Sequence, residues 1–214
     1  KKYFLMNYCF LTSRSSWLYH NKKKEIKTVF KKNVKIFTEH DKIISKYDIC
    51  FVISYFKIIP EQFLNKGTRF IVNHESNLPE NRGFSPLYWQ ILKGKTKITS
   101  TLFEVTSKKV DSGKILLKKK YSFDKTLLYE EIKEKQFNNA IDMIKSYLEK
   151  KIYIPRITKK TNYLKRRKPE DSKLNVNKSI KSQFNLLRIC DNENFPAFFY
   201  ISKKKYIIKI YKKN

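Results

Sequence analysis

The first half of the chain alternates short apolar runs with longer polar stretches. YFLMNYCFL (3–11), VKIFT (34–38), DICFVISYF (48–56) and RFIVNH (69–74) are runs of strand length, and the polar segments between them are long enough for crossover helices or loops. Near-continuous apolar strands belong to a parallel sheet buried on both faces. KITSTLFEV (97–105) and KILLKKKY (114–121) alternate in strand fashion around a loop that carries KKVDSG. From Thr126 to Lys150, Leu127, Leu128, Ile132, Phe137, Ile141, Ile144 and Leu148 recur near helical spacing, which predicts a long amphipathic helix packed on the sheet. The pattern implies an α/β fold: a mostly parallel sheet with helices on both faces.

Punctuation refines this layout. Ser85-Pro86 reads as a helix start with Ser as N-cap, and Gly94 closes the helix PLYWQILKG. The stretch IYIPRITKKTNYLKRRKPEDSKLNV (152–176) is basic and Pro-interrupted, as a connector would be. After it come a predicted helix, KSIKSQFNLLRIC, and a hairpin, AFFYISKKKYIIKI, whose strands flank Ser202 to Lys205. The expected organisation is a principal domain over 1–150, a connector over 151–176 and a helix-hairpin tail over 177–214.

Composition adds little to the fold but bounds the partners. Of 214 residues, 48 are Lys or Arg and 19 Asp or Glu, a formal net charge of +29, which ordinarily suggests an anionic partner. The lysines are scattered through every segment, however, and KKTNYLKRRK (159–168) forms the concentrated patch. Neither a helix-turn-helix nor an aromatic RNA-binding signature is present, so nucleic acid is an unlikely partner and a solvated basic surface is the simpler expectation. No window approaches the 18 or so apolar residues of a spanning helix, so no membrane association is expected. The start, KKYFLMNYCFL, lacks an initiating Met and a cleavage pattern, and reads as a strand near a trimmed or incomplete N-terminus. Cys9, Cys50 and Cys190 each sit among apolar residues, as reduced core thiols of a cytoplasmic protein would. A cysteine-based metal site is not expected, since no C-x-x-C pair occurs.

All four glycines, at positions 67, 83, 94 and 113, fall within a 47-residue window. Gly67 and Gly94 are read as turn residues, and Gly83 and Gly113, beside Arg82 and Asp111, as markers of functional loops. The same window holds His74 at the end of an apolar run, where open α/β sheets bind ligands. His20 and His40 have polar surroundings and read as surface residues. A lone histidine is more often structural than catalytic, but Asp111 could meet His74 at the carboxyl edge of the sheet, as an orienting carboxylate or in a proton relay. Ser76 and Ser112 stand near but outside any G-x-S-x-G elbow, so a nucleophilic triad lacks its signature. Joint metal ligation by His74 and Glu75 is disfavoured because adjacent strand residues point to opposite faces. Phosphate-loop and dinucleotide glycine fingerprints are absent.

Residues 74–116, HESNLPENRGFSPLYWQILKGKTKITSTLFEVTSKKVDSGKIL, resemble the core of the 10-formyltetrahydrofolate-dependent formyltransferases. That family runs Asn-x-His-x-Ser-x-Leu-Pro, then Arg-Gly and Pro, then a strand with Thr, then Asp-x-Gly. YDICFVISYFKIIPEQFL (47–64) resembles its folate-contacting region, and KRRKPEDSKLNVNKSIKSQFNLLRICDNENFPAFFY (165–200) resembles the tail of members acting on amino sugars. The resemblance implies the family's Rossmann-like formyltransferase fold, 10-formyltetrahydrofolate as co-substrate, and no metal. It places the catalytic His on His74 and the catalytic Asp on Asp111. It places the folate-binding residues on Lys57, Ile58, Ile59, Ser76, Asn77, Leu78, Pro79 and Val110, and substrate contacts on Tyr55, Arg82 and Gly83. The family's catalytic Asn lies two residues before the His, at Val72 in this chain, whereas an Asn occurs at position 73, and Asn73 is taken as the candidate for that catalytic role. Strand alternation turns Asn73 to the opposite face unless a bulge shifts the register.

Formyl transfer to an amine builds an oxyanion, which a protonated His74 would stabilise with Asp111 as its carboxylate partner. The implied acceptor is a nucleotide-linked 4-amino sugar, since the short chain lacks room for the RNA-gripping C-terminal domain and its tail resembles the sugar group. Methionyl-tRNA is the alternative that the basic surface supports. A binding protein for folate or a sugar nucleotide, without turnover, is the reading that Val72 prompts. The hairpin tail leaves pairing into a homodimer open.

Overall fold

The computed structural model describes residues 6–30, 34–42, 46–64, 67–107, 109–151 and 161–213. Six strands form the central sheet, in the order β2 (Lys35–Phe37), β1 (Tyr8–Leu11), β3 (Ile49–Val52), β4 (Arg69–His74), β6 (Lys97–Val105) and β7 (Gly113–Ser122). The first four are mutually parallel, and β6 and β7 add antiparallel strands beyond β4. The fully buried pattern of β3 and the nearly continuous burial of β4 account for their unbroken apolar sequences. The expected mixed but mostly parallel α/β sheet is therefore present.

The strand boundaries are tighter than the apolar runs. β3 stops at Val52, short of the expected 56, because the backbone turns left-handed at Ser54 (φ 52°) and leaves the sheet. In the run from position 3, residues 3–5 lie outside the described residues, and pairing begins at Tyr8.

One face of the sheet is covered by α1 (Trp17–Phe30) and α4 (Tyr129–Leu148). Leu18, Ile26 and Phe30 of α1 and Phe137, Ala140, Met143 and Ile144 of α4 pack there on Phe10, Phe51 and Ile71. The long helix expected over 126–150 forms as α4; Leu128 marks its start, where the Leu128 amide donates to Glu131 Oε2 at 2.8 Å. The other face packs Cys9, Cys50, Val52 and Phe70 against Ile59 and against Phe63 and Leu64 of α2 (Glu61–Leu64). All three cysteines are buried and unbridged.

α3 (Pro86–Leu92) begins where Ser85-Pro86 predicts, by a different device. Ser85 is left-handed (φ 53°) and its hydroxyl makes no cap bond, so proline sets the first turn without a serine cap. The tail forms α5 (Ile180–Leu187) and a hairpin of β9 (Ala197–Ile201) and β10 (Lys204–Ile208). Its turn is the two residues Ser202 and Lys203, both at positive φ, so Lys204 and Lys205 belong to the strand and not to the expected loop.

Residues 152–160 of the expected connector lie outside the described residues. The segment from Asn162 to Lys165 is bound to the sheet end. β8 (Tyr163–Leu164) pairs in parallel with β5 (Arg82–Gly83), and Trp89 Nε1 donates to the Lys165 carbonyl at 2.9 Å. Arg188, almost wholly buried, donates to the carbonyls of Asp124 and Leu127 at 2.9 and 3.1 Å. Among the described residues, no helix is long and apolar enough to cross a membrane.

Candidate active site

A continuous cleft of about 1260 Å³ runs past the carboxyl end of β4. Side-chain alternation along that strand gives the cleft its two lobes. Phe70 and Val72 pack on the face that holds Ile59, and Ile71 packs on the face of α1 and α4. His74 continues the first row and Asn73 the second. The lobe on the first face is walled by Val52, Tyr55, Ile59, Val105 and Val110; the other is walled by Trp17, Tyr88, Tyr129, Lys133, Arg166 and Arg167.

His74 and Asp111, 37 positions apart in sequence, meet at the rim. His74 Nδ1 lies 3.7 Å from Asp111 Oδ2, and both side chains are largely buried. His74 Nε2 donates to the Asn81 carbonyl at 3.0 Å, so Nδ1 is the nitrogen turned toward the carboxylate. The gap exceeds a hydrogen bond, and a proton on Nδ1 could serve both Asp111 and a reacting oxygen beside it. Asp111 Oδ2 in turn accepts the Gly83 amide at 2.7 Å, which fixes the carboxylate against β5.

Backbone strain gathers around this pair. Ser54, Asn81, Ser85 and Asp111 all adopt positive φ, between 45° and 56°. Three of them line the cleft, and Asn81 carries the carbonyl that holds His74. Such conformations persist where surrounding contacts over-determine them. At Asn81 and its neighbours the contacts come from residues 162–164, within the expected connector. Asn162 Oδ1 accepts the Asn81 amide and Asn162 Nδ2 donates to Asn81 Oδ1, each at 2.9 Å. The Arg82 and Phe84 amides donate to the carbonyls of Asn162 and Leu164. At Gly83 (φ 97°) an added Cβ would stand 2.4 Å from the Leu164 carbonyl oxygen, so only glycine fits the β5–β8 pairing. Gly113 is explained by packing, contrary to its reading as a functional marker: a Cβ there would meet the Glu104 carbonyl oxygen at 1.9 Å, across the β6–β7 ladder.

The remaining expected site residues divide. Tyr55, Lys57, Ile58, Ile59 and Val110 line the first lobe. The Tyr55 hydroxyl is held 2.7 Å from His40 Nδ1, so His40 is not a free surface residue. Burial raises the Tyr55 phenol above its usual range. Lys57 pairs with Glu39 at 2.6 Å, and that hydrogen bond raises its ammonium pKa.

Ser76, Asn77, Leu78 and Pro79 are not among the described residues that line the cleft, and several of their polar atoms are engaged elsewhere. Ser76 Oγ donates to the Glu80 carbonyl, the Ser76 carbonyl accepts Thr101 Oγ1, and Lys118 Nζ donates to Asn77 Oδ1 and the Leu78 carbonyl. Arg82 is likewise absent from the lining and lies over Tyr163, its Nη1 donating to the hydroxyl at 3.3 Å, while Gly83 lines the cleft.

Asn73 does not take the place that the family pattern gives its Asn. Pairing of β4 with β6 runs in unbroken register from Ile71↔Glu104 to His74↔Thr101. The irregularity at Leu102/Phe103 falls in the pairing with β7, on the far side of β6. No bulge in β4 re-aims Asn73, and its Nδ2 donates to Glu75 Oε1 at 3.0 Å. Val72, opposite Phe103, occupies the row of His74.

The sequence pattern points to the second lobe only through Arg166 and Arg167, which belong to the 159–168 patch. Tyr88 and Tyr129 stack with ring centroids 6.2 Å apart, and Lys133 Nζ lies 5.3 Å and 5.7 Å from the two rings. The Arg167 guanidinium lies 5.9 Å from the Tyr88 ring, and Arg166 is stacked between Phe56 and Phe84 at 5.7 and 5.1 Å. Burial holds both phenols well above their usual range. Cations over aromatic faces suit an anionic, planar group such as a phosphorylated nucleoside.

Residues 18–145 match the family model described as formyl transferase. A methionyl-tRNA formyltransferase of Thermodesulfovibrio yellowstonii is 31% identical over 146 residues, which are 66% of this chain and 47% of that protein. The chain thus spans about half the length of that curated relative. Among solved structures, a methionyl-tRNA formyltransferase from Clostridium thermocellum superimposes with a TM-score of 0.78 at 24% identity, over 98% of this chain and 94% of that one. A 4-N formyltransferase from Francisella tularensis gives a TM-score of 0.66 at 16% identity, over 98% and 99%. HypX from Aquifex aeolicus in complex with tetrahydrofolic acid gives 0.69 at 16%, over 96% and 37%.

Proposed function

The chain belongs to the formyl transferase family, and from that premise we propose that it transfers a formyl group from 10-formyltetrahydrofolate to a primary amine on a phosphate-bearing acceptor. The observation that carries this reading is the approach of His74 Nδ1 to Asp111 Oδ2, at 3.7 Å, inside a cleft at the carboxyl end of β4. The apolar wall of Val52, Ile59, Val105 and Val110 fits the flat ring system of a folate, and Lys57 stands at its open side for a carboxylate tail. A tetrahydrofolate-bound neighbour of the same fold supports that assignment.

When bound, the folate would supply the formyl group: the acceptor amine adds to the formyl carbon, the bond from that carbon to the folate nitrogen breaks, and the proton lost by the amine passes to the departing nitrogen. His74 then stabilises the negative charge that develops on the formyl oxygen, and Asp111 keeps the ring oriented and receives or relays the amine proton. The Asn81 carbonyl fixes the ring plane from the other nitrogen. Asn73, turned away and bonded to Glu75, is not placed as an oxyanion donor. Loss of one such donor costs on the order of 100- to 1000-fold in rate, so a larger share of the stabilisation falls on His74.

For the acceptor, methionyl-tRNA is favoured by a 31% identical relative that bears that name and by Arg166, Arg167 and Lys133 around the second lobe. A nucleotide-linked 4-amino sugar is the second reading. It is supported by the full-length likeness to a 4-N formyltransferase and by the stacked pair Tyr88 and Tyr129, which suits one nucleoside diphosphate. Incubation with 10-formyltetrahydrofolate and either acceptor, with mass spectrometry as the readout, tests both. One acceptor should gain a formyl group with wild-type protein and fail to do so with His74→Ala. Salt dependence gives a second discriminator, since RNA binding falls steeply with ionic strength and a diphosphate sugar's binding does not.

A further inference from the structure

The register that withholds Asn73 from His74's row creates a different site. Asn73 is 7% exposed, and its Nδ2 donates to Glu75 Oε1 at 3.0 Å, while its Oδ1 is buried without a hydrogen-bond partner. Both residues line the cleft. Orphaned buried carbonyl oxygens are uncommon because each costs its own desolvation, and this one belongs to a side chain on the cleft lining, where a ligand's donor would relieve it. Glu75 is a buried acid set just past the end of a strand, on a cleft lining that carries the cations Lys133 and Arg167 as well as the acids Glu130 and Asp191. Its backbone is pinned, because Gln90 Nε2 donates to the Glu75 carbonyl at 2.7 Å while also reaching the Pro86 carbonyl. The Tyr88 hydroxyl is also buried without a partner in this lobe.

What these atoms have in common is hydrogen-bond acceptance. An amide oxygen and a carboxylate are acceptors only, and the phenol can act either way. A phosphate or carboxylate ligand would be repelled at this spot, although the surrounding Arg167 and Lys133 would hold one a little further out. A primary amine or ammonium is the group that satisfies the acceptors, with two or three N–H donors on a compact centre. His74 belongs to the opposite row of β4 but lines the same cleft, which connects a group held here to the reacting rim.

We infer that the Asn73–Glu75 pair is the receiving site for the amino group of the formyl acceptor, which makes Glu75 a specificity-determining residue of this chain. The inference rests on the formyl-transfer reading and deepens it. Asn73 acts by presenting its carbonyl oxygen and by positioning Glu75, the role opposite to that of an oxyanion donor.

The test compares amine and hydroxyl forms of the same ligand. Calorimetry is run with methionyl-tRNA against its 2-hydroxy-acyl counterpart, and with a uridine-diphosphate 4-amino sugar against the 4-hydroxy sugar, on wild type, Glu75→Gln and Asn73→Ala. Wild type should bind one amine form about 10- to 100-fold more tightly than its hydroxyl form, as a charge-assisted hydrogen bond provides. Glu75→Gln should reduce that ratio to near one and Asn73→Ala should reduce it partly. Tetrahydrofolate binding should be unchanged in both, which excludes misfolding. A preserved amine preference in Glu75→Gln, no preference in wild type, or equal weakening of tetrahydrofolate binding would each overturn the inference. Formyl transfer measured on the same samples separates the two readings: turnover by wild type with an unaltered preference in Glu75→Gln sinks the amine site alone, and no turnover on either amine sinks the parent reading.

Discussion

Asp111 and Gly83 are bound to each other through one hydrogen bond, the Gly83 amide donating to Asp111 Oδ2 at 2.7 Å, and that same oxygen faces His74 at 3.7 Å. The carboxylate is therefore positioned by the backbone of β5, whose own place depends on pairing with Leu164. Gly83→Ala should act on both. Its Cβ would meet the Leu164 carbonyl oxygen and its φ of 97° would be strained, at a cost of about 1–3 kcal/mol. The expected result is a lower melting temperature together with a kcat at least tenfold down. An unchanged kcat at full occupancy of both substrates would show that Asp111 is placed by something else.

Asp111→Asn separates charge from anchoring. The new amide oxygen can still accept the Gly83 amide, so the loop should stay in place while the counter-charge to the imidazole disappears. Transfer should fall by about 10²- to 10⁴-fold, as for other general acid–base residues, with a melting temperature close to wild type. His74→Ala should match it in rate. A double variant no worse than either single one would indicate that the pair works as a unit.

Asn162 clamps the loop that holds His74. Asn162→Ala removes both side-chain bonds to Asn81, a loss of about 1–3 kcal/mol if both groups stay dry. Because the Asn81 carbonyl fixes the imidazole, kcat should fall about tenfold while the KM for the folate barely changes. Rate and KM moving together would place the effect on general folding instead.

The sheet is legible in the sequence because burial on both faces leaves long apolar runs, and β4 matches its run at both ends. β5 and β8 are not, because a two-residue pairing across 81 positions carries no periodicity. His74 and Asp111 stand out as chemically apt residues at a strand end and in a Gly-containing loop. Ser76 and Asn77 are equally apt by type, but residue type does not tell that Glu80, Thr101 and Lys118 use up their neighbourhood. Glu75, Tyr88 and Lys133 carry no such signal because their lobe is assembled from a strand end and two helices, and the basic patch at 159–168 is the one hint of it. The tail resemblance points toward amino-sugar enzymes, whereas a 31% identical relative from Thermodesulfovibrio yellowstonii is a methionyl-tRNA formyltransferase.

Away from the site, Arg69 and Glu104 give a pH test of the sheet itself. Arg69 Nε and Nη2 donate to the two Glu104 oxygens at 2.9 and 2.7 Å, tying β4 to β6 at the end of the sheet away from His74. That bidentate bond with Arg69 lowers the Glu104 pKa. A depressed carboxyl pKa contributes stability that is complete above the unfolded value, about 4.3 for a glutamate, and is lost as pH falls through the lower folded value. Arg69 stays charged throughout, so Glu104 alone sets the window. The difference in unfolding free energy between wild type and Glu104→Gln should therefore be constant above about pH 5.5 and shrink as the medium is acidified below about pH 4. Because the Arg69 side chain is 36% exposed, solvent screening keeps the expected plateau modest, at about 1 kcal/mol. Denaturant titrations across that range provide the check, and a difference that grows on acidification would show that the pair does not stabilise the fold.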